Sequence, residues 1–461
     1  MRCRSLAALL ALAGSVHAQP CEPRAEMVHG VPALSVYGLF KTTEAGADVL
    51  YIGGLSDVCQ VGPIGAVARW DGNQWSAIGG GVSIGWGLGA LCYPMVYSFA
   101  TFQNALHIGG AFLRADGIST WSVARWNGTA WGPMGAGLRL QNCADCGPRA
   151  RRMLVHKGEL YIAGEFTLAG GVQANHVARW NGQAWSSLNG GLGTHPELPP
   201  THWSWNQVLD MVEFQGDVYV CGIFGKAGQI TSPGIARWDG ANWKTVGEPI
   251  VGGGNNPLMP IVSAMVVHDD GKGPALYAAG TFVGIGQMPA SGFAKWDGAS
   301  WTAVGHDNWW HGNYRPEKLA SFNDGTGPAI YAGGYHRLGQ VPLTRWDGQT
   351  WSNLVPGLTG QEVNALYPTV ENGRPVLYIG GYFAAPGQSV TSLARWIGCP
   401  CYANCDASSA APVLTANDFQ CFLNSYARGD SYANCDGSTG HPVLTAADFA
   451  CFLNRFAVGC P

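Results

Sequence analysis

Val67-Ala68-Arg69-Trp70-Asp71-Gly72-Asn73-Gln74-Trp75 is one copy of a string that recurs along the chain. It returns as VARWNGTAW from Val123, VARWNGQAW from Val177, IARWDGANW from Ile235, FAKWDGASW from Phe293 and LTRWDGQTW from Leu343. A seventh copy, LARW from Leu393, breaks off at Ile397-Gly398-Cys399. The first Trp falls at positions 70, 126, 180, 238, 296, 346 and 396. A regular interval of this size means one supersecondary unit repeated.

Asp-Gly or Asn-Gly between two short apolar runs signals a hairpin, because both central residues of a type I′ turn need φ > 0. A two-residue loop at Asp71-Gly72 pairs Trp70 with Asn73, Arg69 with Gln74 and Ala68 with Trp75; a longer loop shifts this pairing. Strand alternation then puts Ala68, Trp70 and Trp75 on one face and Arg69 on the other. Before each hairpin stands a second string: LYIGG at Leu50, LHIGG at Leu106, LYIAG at Leu160, VYVCG at Val218, LYAAG at Leu276, IYAGG at Ile330 and LYIGG at Leu377. A looser apolar run ending in a turn precedes that, as in MLVHKG from Met153. Each unit is therefore four short strands, and four-strand units at this period are the blades of a β-propeller. Six units are complete and the seventh lacks its fourth strand. Residues 21–30 (CEPRAEMVHG) are placed to supply it. The expectation is an all-β, seven-bladed propeller over residues 19–398.

These strings resemble the kelch repeat, which also has a strand ending in Gly-Gly, an aromatic on the third strand and a Trp opening the fourth. The Gly pairs are plain at Gly53-Gly54, Gly109-Gly110, Gly333-Gly334 and Gly380-Gly381, and partial at Ala163-Gly164. The units resemble still more a group of bacterial and fungal surface proteins, cell-polarity factors among them, built from LYIGG-F…ARW-G-W repeats. The resemblance spans residues 21–398 and implies a fold. It does not imply a function, since propellers host unrelated activities.

Composition bounds the rest. The chain has 461 residues, 67 of them Gly and 19 Trp, with 12% charged and a formal net charge of −4. That charge offers no basic stripe for nucleic acid. Residues 1–18 read as a secretory signal: Arg2 and Arg4, an apolar run, then Val16-His17-Ala18 before cleavage. No other segment approaches the ~20 apolar residues that span a bilayer. An exported protein, secreted or held at the cell surface, suits the 14 Cys, because disulfides persist outside the cytosol. Cys59 with Cys92, Cys143 with Cys146, Cys405 with Cys421 and Cys435 with Cys451 are the expected pairs. Cys221, inside a strand, is expected as a buried free thiol. Cys21, Cys399, Cys401 and Cys460 remain to tie the domain ends in an undetermined order.

Residues 399–461 hold a tandem duplication. YANCDASSAAPVLTANDFQCFLNSYARGD from Tyr402 matches YANCDGSTGHPVLTAADFACFLNRFAVG from Tyr432. Thr415-x-x-Asp418 and Thr445-x-x-Asp448 look like helix N-caps with an acidic residue at the third helical position. Phe419, Phe422, Leu423 and Tyr426, then Phe449, Phe452, Leu453 and Phe456, each form one apolar helical face. The two helices are expected to pack together. This tail resembles a dockerin, in the Cys-containing form found at the end of secreted planctomycete proteins. The resemblance implies a small α-helical docking domain and a cohesin-like partner. It also implies calcium ligands at Asn404, Asp406, Ser408 and Asp418, and at Asn434, Asp436, Ser438 and Asp448. An EF-type loop has 12 residues, whereas Asn404 to Asp418 is longer and contains Pro412. Few carboxylates and a long loop imply weak calcium binding, on the order of 10⁻⁴–10⁻³ M, or none.

The connections from fourth strand to next first strand vary most, and loops on a rigid scaffold carry binding and catalysis. Trp203, Trp205, Trp309, Trp310 and Tyr314 sit in two of them, with His202, His306 and His311. Flat aromatics suit sugar rings; the competing reading is that they pack the loops onto the disc. The Arg repeated at 69, 125, 179, 237, 345 and 395 (Lys295 once) serves the blade, by stacking on a Trp or bonding backbone carbonyls between blades. Two function classes follow. One is a non-catalytic binding or structural module for a glycan or a surface protein, with an attachment tail. The other is a secreted carbohydrate-active enzyme, which needs two carboxylates about 5–10 Å apart; Glu197, Asp307 and Glu317 are acids that could serve.

Overall fold

A computed structural model describes residues 23–33, 35–55, 66–84, 94–141, 147–197, 206–253, 258, 260–304, 314–336, 343–354, 359–372, 374–384, 391–399, 415–429, 433–435 and 444–458. The described residues up to 399 form antiparallel sheets joined by turns. Its four-strand unit is clearest in Arg149–His156, Glu159–Glu165, Val177–Trp180 and Trp185–Ser187, hydrogen-bonded in that order. The same order recurs from Gln207–Phe214 to Trp243–Lys244 and from Val262–Asp269 to Trp301–Ala303.

The hairpin loop is longer than two residues. Trp70 pairs with Trp75, Arg69 with Ser76 and Ala68 with Ala77. Within the Asp-Gly pair only Gly72 has positive φ, at 98°. Asp71 instead accepts the N–H groups of Asn73 and Gln74 on Oδ1, both at 2.9 Å. An Asx turn satisfies those donors and spares Asp the left-handed conformation. The two backbone donors hold the Asp71 carboxyl below the usual carboxylate range. The consequence is a cross-strand indole pair, with centroids 5.2 Å apart at Trp70/Trp75 and 5.1 Å at Trp180/Trp185.

The repeated cation does serve its own unit, but through ion pairs with acids near the first turn rather than through Trp or inter-blade carbonyls. Arg69 meets Glu44 at 3.0 Å, Arg179 meets Glu159 at 2.9 Å and Lys295 meets Asp270 at 2.7 Å. Two positions depart from this: Arg125 is exposed with no ion pair among the described residues, and Arg345 donates to Thr326 Oγ1 and the Gly327 carbonyl.

Two devices join neighbouring units. The indole N–H of four fourth-strand Trp residues reaches back to the preceding unit. Trp131 donates to the Ile78 carbonyl (2.9 Å), Trp185 to Met134 (2.8 Å), Trp243 to Leu188 (2.7 Å) and Trp301 to Val246 (2.7 Å). Small three-stranded sheets also bridge units, as where Leu138–Arg139 pairs with Leu168–Ala169, which pairs with Val172–Gln173. Such strands of two residues carry too short a pattern to be read in sequence.

The first strands neighbour one another in chain order, from Ser35–Glu44 beside Met95–Phe102 through to Tyr314–Asn323 beside Thr359–Glu371. Thr359–Glu371 in turn lies beside Ser35–Glu44, so the series closes on itself. Arg24–Met27 pairs with Thr391–Ile397, placing Glu26 opposite Arg395, and those two side chains form a 2.7 Å ion pair. The expected closing strand is therefore present, and it covers an edge that would otherwise expose backbone donors and acceptors.

Beyond residue 399, helices α1 (Ala416–Arg428) and α2 (Ala446–Val458) pack through Phe422 and Phe452, stacked at 4.0 Å. Thr415 and Asp418 form the expected capping box. Leu453, assigned to the apolar face, is 40% exposed, so the Phe residues carry the contact. Cys435 and Cys451 are bonded as expected, Cys399 and Cys421 are each in a disulfide, and Cys221 is a buried free thiol.

Candidate functional site

Every first strand contains an irregularity near its start, where one residue has no partner in the ladder. The skipped residues are Tyr37, Tyr97, Arg151, Leu209, Ser263, Glu317 and Asn364. A β-bulge re-aims the side chain of its extra residue. All of these residues line one cavity of about 290 Å³, together with Gln207, Ile223, Ile261, Lys318 and Glu362. The pocket is thus built by the same local device repeated around the closed series of first strands.

The second strand accommodates the bulge through a glycine. A Cβ on Gly110 would lie 2.0 Å from the Met95 carbonyl oxygen, on Gly164 2.0 Å from that of Arg149, and on Gly222 2.1 Å from that of Gln207. Gly280 and Gly381 are equally crowded, against Ile261 and Glu362. These are the second members of the Gly-Gly strings. The first member tolerates Ala163, Cys221 and Ala279 because it does not face this carbonyl.

The pocket wall changes character around the ring. Tyr37 and Tyr97 meet edge to face at 5.8 Å, and the Arg151 guanidinium lies 5.6 Å from the Tyr97 ring centre. Tyr37 donates its hydroxyl to Glu362 Oε1 at 3.1 Å. Burial, then the Glu362 charge, raises the Tyr37 hydroxyl far above the ordinary tyrosine range, so it stays a donor. Arg151 holds Glu165 through Nε (2.8 Å) and Nη2 (2.5 Å), and Arg149 reaches the other oxygen at 2.7 Å. Burial alone would raise the Glu165 carboxyl; the two guanidinium groups hold it below the usual range. Asp210 accepts from Arg152 Nε at 2.9 Å and from the backbone N–H groups of Met211 and Met265. Lys318 has no ion pair or hydrogen bond among the described residues, and burial lowers its ammonium pKa. Leu209, Ile223 and Ile261 form an apolar stretch of the wall.

The positions expected from sequence are only partly placed. Trp203, Trp205, Trp309 and Trp310 lie outside the described residues, as do Asn404, Asp406, Ser408, Asp436 and Ser438. Tyr314 opens a first strand, with its backbone opposite His336. Asp418 and Asp448 are buried at the helix starts, where each accepts a backbone N–H, from Thr415 and Thr445 respectively, at 2.8 Å. Asn434 is described and lies beside Cys435. No group of three or more potential metal ligands occurs among the described residues. Glu317, expected in a loop, is instead a strand bulge residue facing the pocket. Glu197 is exposed and away from the pocket lining. Sequence reasoning missed Tyr37, Tyr97, Arg151, Lys318 and Glu362. Their distance before the Gly-Gly string varies, from 12 residues at Tyr97 and Arg151 to 18 at Glu362, so no common spacing marks them in the sequence.

No family model matches the chain. No curated protein matches it either. Solved structures that resemble it include a polysaccharide lyase, at 10% identity and a TM-score of 0.30, covering 78% of this chain and 77% of the other. An ancestral GH74 enzyme resembles it at 13% identity and a TM-score of 0.30, over 77% of this chain and 48% of that one. A subtype N11 neuraminidase-like protein of A/flat-faced bat/Peru does so at 11% identity and a TM-score of 0.30, over 80% and 89%.

Proposed function

We propose that this is an exported propeller of seven blades, over residues 19–398, that binds a glycan in its hub pocket. Residues 1–18 direct export, and the dockerin-like tail, 399–461, docks the protein to a surface or a cohesin-like partner with calcium bound weakly if at all. The closed series of first strands supports the blade number. One observation carries the binding function: bulged residues from every first strand line a single cavity. The repeated Arg and Trp residues are consumed by the scaffold, whereas the bulge residues differ from unit to unit. A sugar needs an apolar face to stack on and converging hydroxyl partners. Tyr37 and Tyr97 supply the first, and Gln207, Ser263, Glu362 and Asn364 the second. Trp203, Trp205, Trp309 and Trp310 come before first strands in the sequence and Tyr314 opens one; together they extend the platform in this reading. A glycan array with wild type and Tyr97→Ala tests it: retention of a defined glycan set by wild type, lost in the variant at unchanged melting temperature, is the expected result. Retention of no glycan by the wild type overturns it.

A second reading, a carbohydrate-active enzyme, is favoured by one feature. Glu317 and Glu362, on neighbouring first strands, line the same cavity. Hydrolysis needs such a pair, one acting as acid and one as base or nucleophile. Release of reducing ends from a retained glycan, abolished by Glu317→Gln and by Glu362→Gln, would establish it.

A further inference from the structure

The charges of the hub pocket are unevenly committed, and this bears on its ligand. On one side, Glu165 is shared by Arg149 and Arg151, and Asp210 is held by Arg152 and two backbone N–H groups. Arg149, Arg151 and Arg152 are thus bonded to these two carboxylates, and Lys318, drawn electrostatically by Asp210 and Glu317, has no bond of its own among the described residues. Glu317 and Glu362 also line the pocket, and Glu362 is engaged by the Tyr37 hydroxyl. The lining is mixed: Arg151 and Lys318 supply cations, Glu317, Glu362 and Asn364 supply acid and amide acceptors, and Tyr37 with Tyr97 supply aromatic faces.

We infer that the hub pocket selects a carboxylated sugar, with the ligand carboxylate at Lys318 and Arg151 and its hydroxyls on the acceptors Glu317, Glu362 and Asn364. A uronic-acid unit has the three matching features: one negative charge, several hydroxyl donors and an apolar C–H face. A neutral sugar would leave the Lys318 ammonium desolvated and unpaired, which is costly. The ligand carboxylate supplies a charge-assisted partner in its place. This rests on the glycan-binding reading above.

The test is calorimetric titration of the full chain with tetragalacturonate and with the same tetramer methyl-esterified, which keeps shape and removes charge. Tighter binding of the free acid is expected. Lys318→Gln should weaken the acid roughly 10- to 100-fold, the loss of one charge-assisted bond. The variant should bind the ester at least as tightly as wild type does, since no unpaired ammonium is then buried, and Lys318→Arg should recover most of the difference for the acid. Equal binding of acid and ester, or a silent Lys318→Gln with an unchanged melting temperature, overturns this inference and leaves neutral-glycan binding standing. Binding of neither tetramer, with no other glycan retained on the array, overturns both readings.

Discussion

Gly222 and Cys221 stand side by side in one strand with different jobs. A methyl group at 222 would strike the Gln207 carbonyl and the Val208 Cα, 2.1 and 2.9 Å away. Both are backbone atoms of the bulged strand, so neither can swing aside. Gly222→Ala should cost about 1–3 kcal/mol, as overpacking does, and should disturb ligand retention by moving Gln207 and Leu209. Urea unfolding together with glycan retention checks this; Cys221→Ala should spare retention. Two buried histidines set an acid limit. Burial lowers His107 to about 4, and His176 likewise to about 4. Against an unfolded value near 6.5, the unfolded chain binds more protons between these values. Stability is therefore full above pH ~6.5 and declines as pH falls toward about 4. Each histidine contributes about 2 kcal/mol to the loss between pH 7 and 5. Denaturation midpoints across that range should fall, and should fall less in His107→Gln.

The strand Arg24–Met27 has one partner, Thr391–Ile397, and no hairpin of its own to hold it. Removing residues 19–30 exposes that edge and uncovers Ala25 and Met27 from the core beside Trp396. The truncated protein should melt well below wild type and aggregate on heating; an unchanged melting temperature would refute the closing role. In the helical tail, one oxygen of Asp418 and one of Asp448 cap their own helices. That leaves little carboxylate for a cation, so calcium titration of the full chain should give a dissociation constant on the order of 10⁻⁴–10⁻³ M or no signal. Sub-micromolar binding would refute it. The capping boxes and the helix contact were readable because Thr-x-x-Asp and the i, i+3, i+4 pattern act within a few residues. The four-residue hairpin loop was not, because Asp-Gly serves both a type I′ turn and an Asx turn. The Asp71 hydrogen bonds settle which forms.

Across the molecule, blades are stitched by Trp-to-carbonyl bonds and their first strands converge on one pocket. If the aromatic loops extend that pocket, replacing Trp309 and Trp310 together with Ala should remove glycan retention and leave the melting temperature nearly unchanged. A large loss of stability would mean that they pack the loops instead. The repeat, the four-strand unit and the donated closing strand were all legible, because hydrophobic alternation and turn chemistry are local and recur along the chain. The site was not. Tyr37, Tyr97, Arg151, Leu209, Ser263, Glu317 and Asn364 span six residue types and are separated by scores of residues. What unites them is a bulge that a glycine on the neighbouring strand accommodates. Whether Glu317 faces solvent in a loop or a partner across a cavity depends on where the ring closes. Ring closure is a property of all the blades at once, and no single stretch of sequence encodes it.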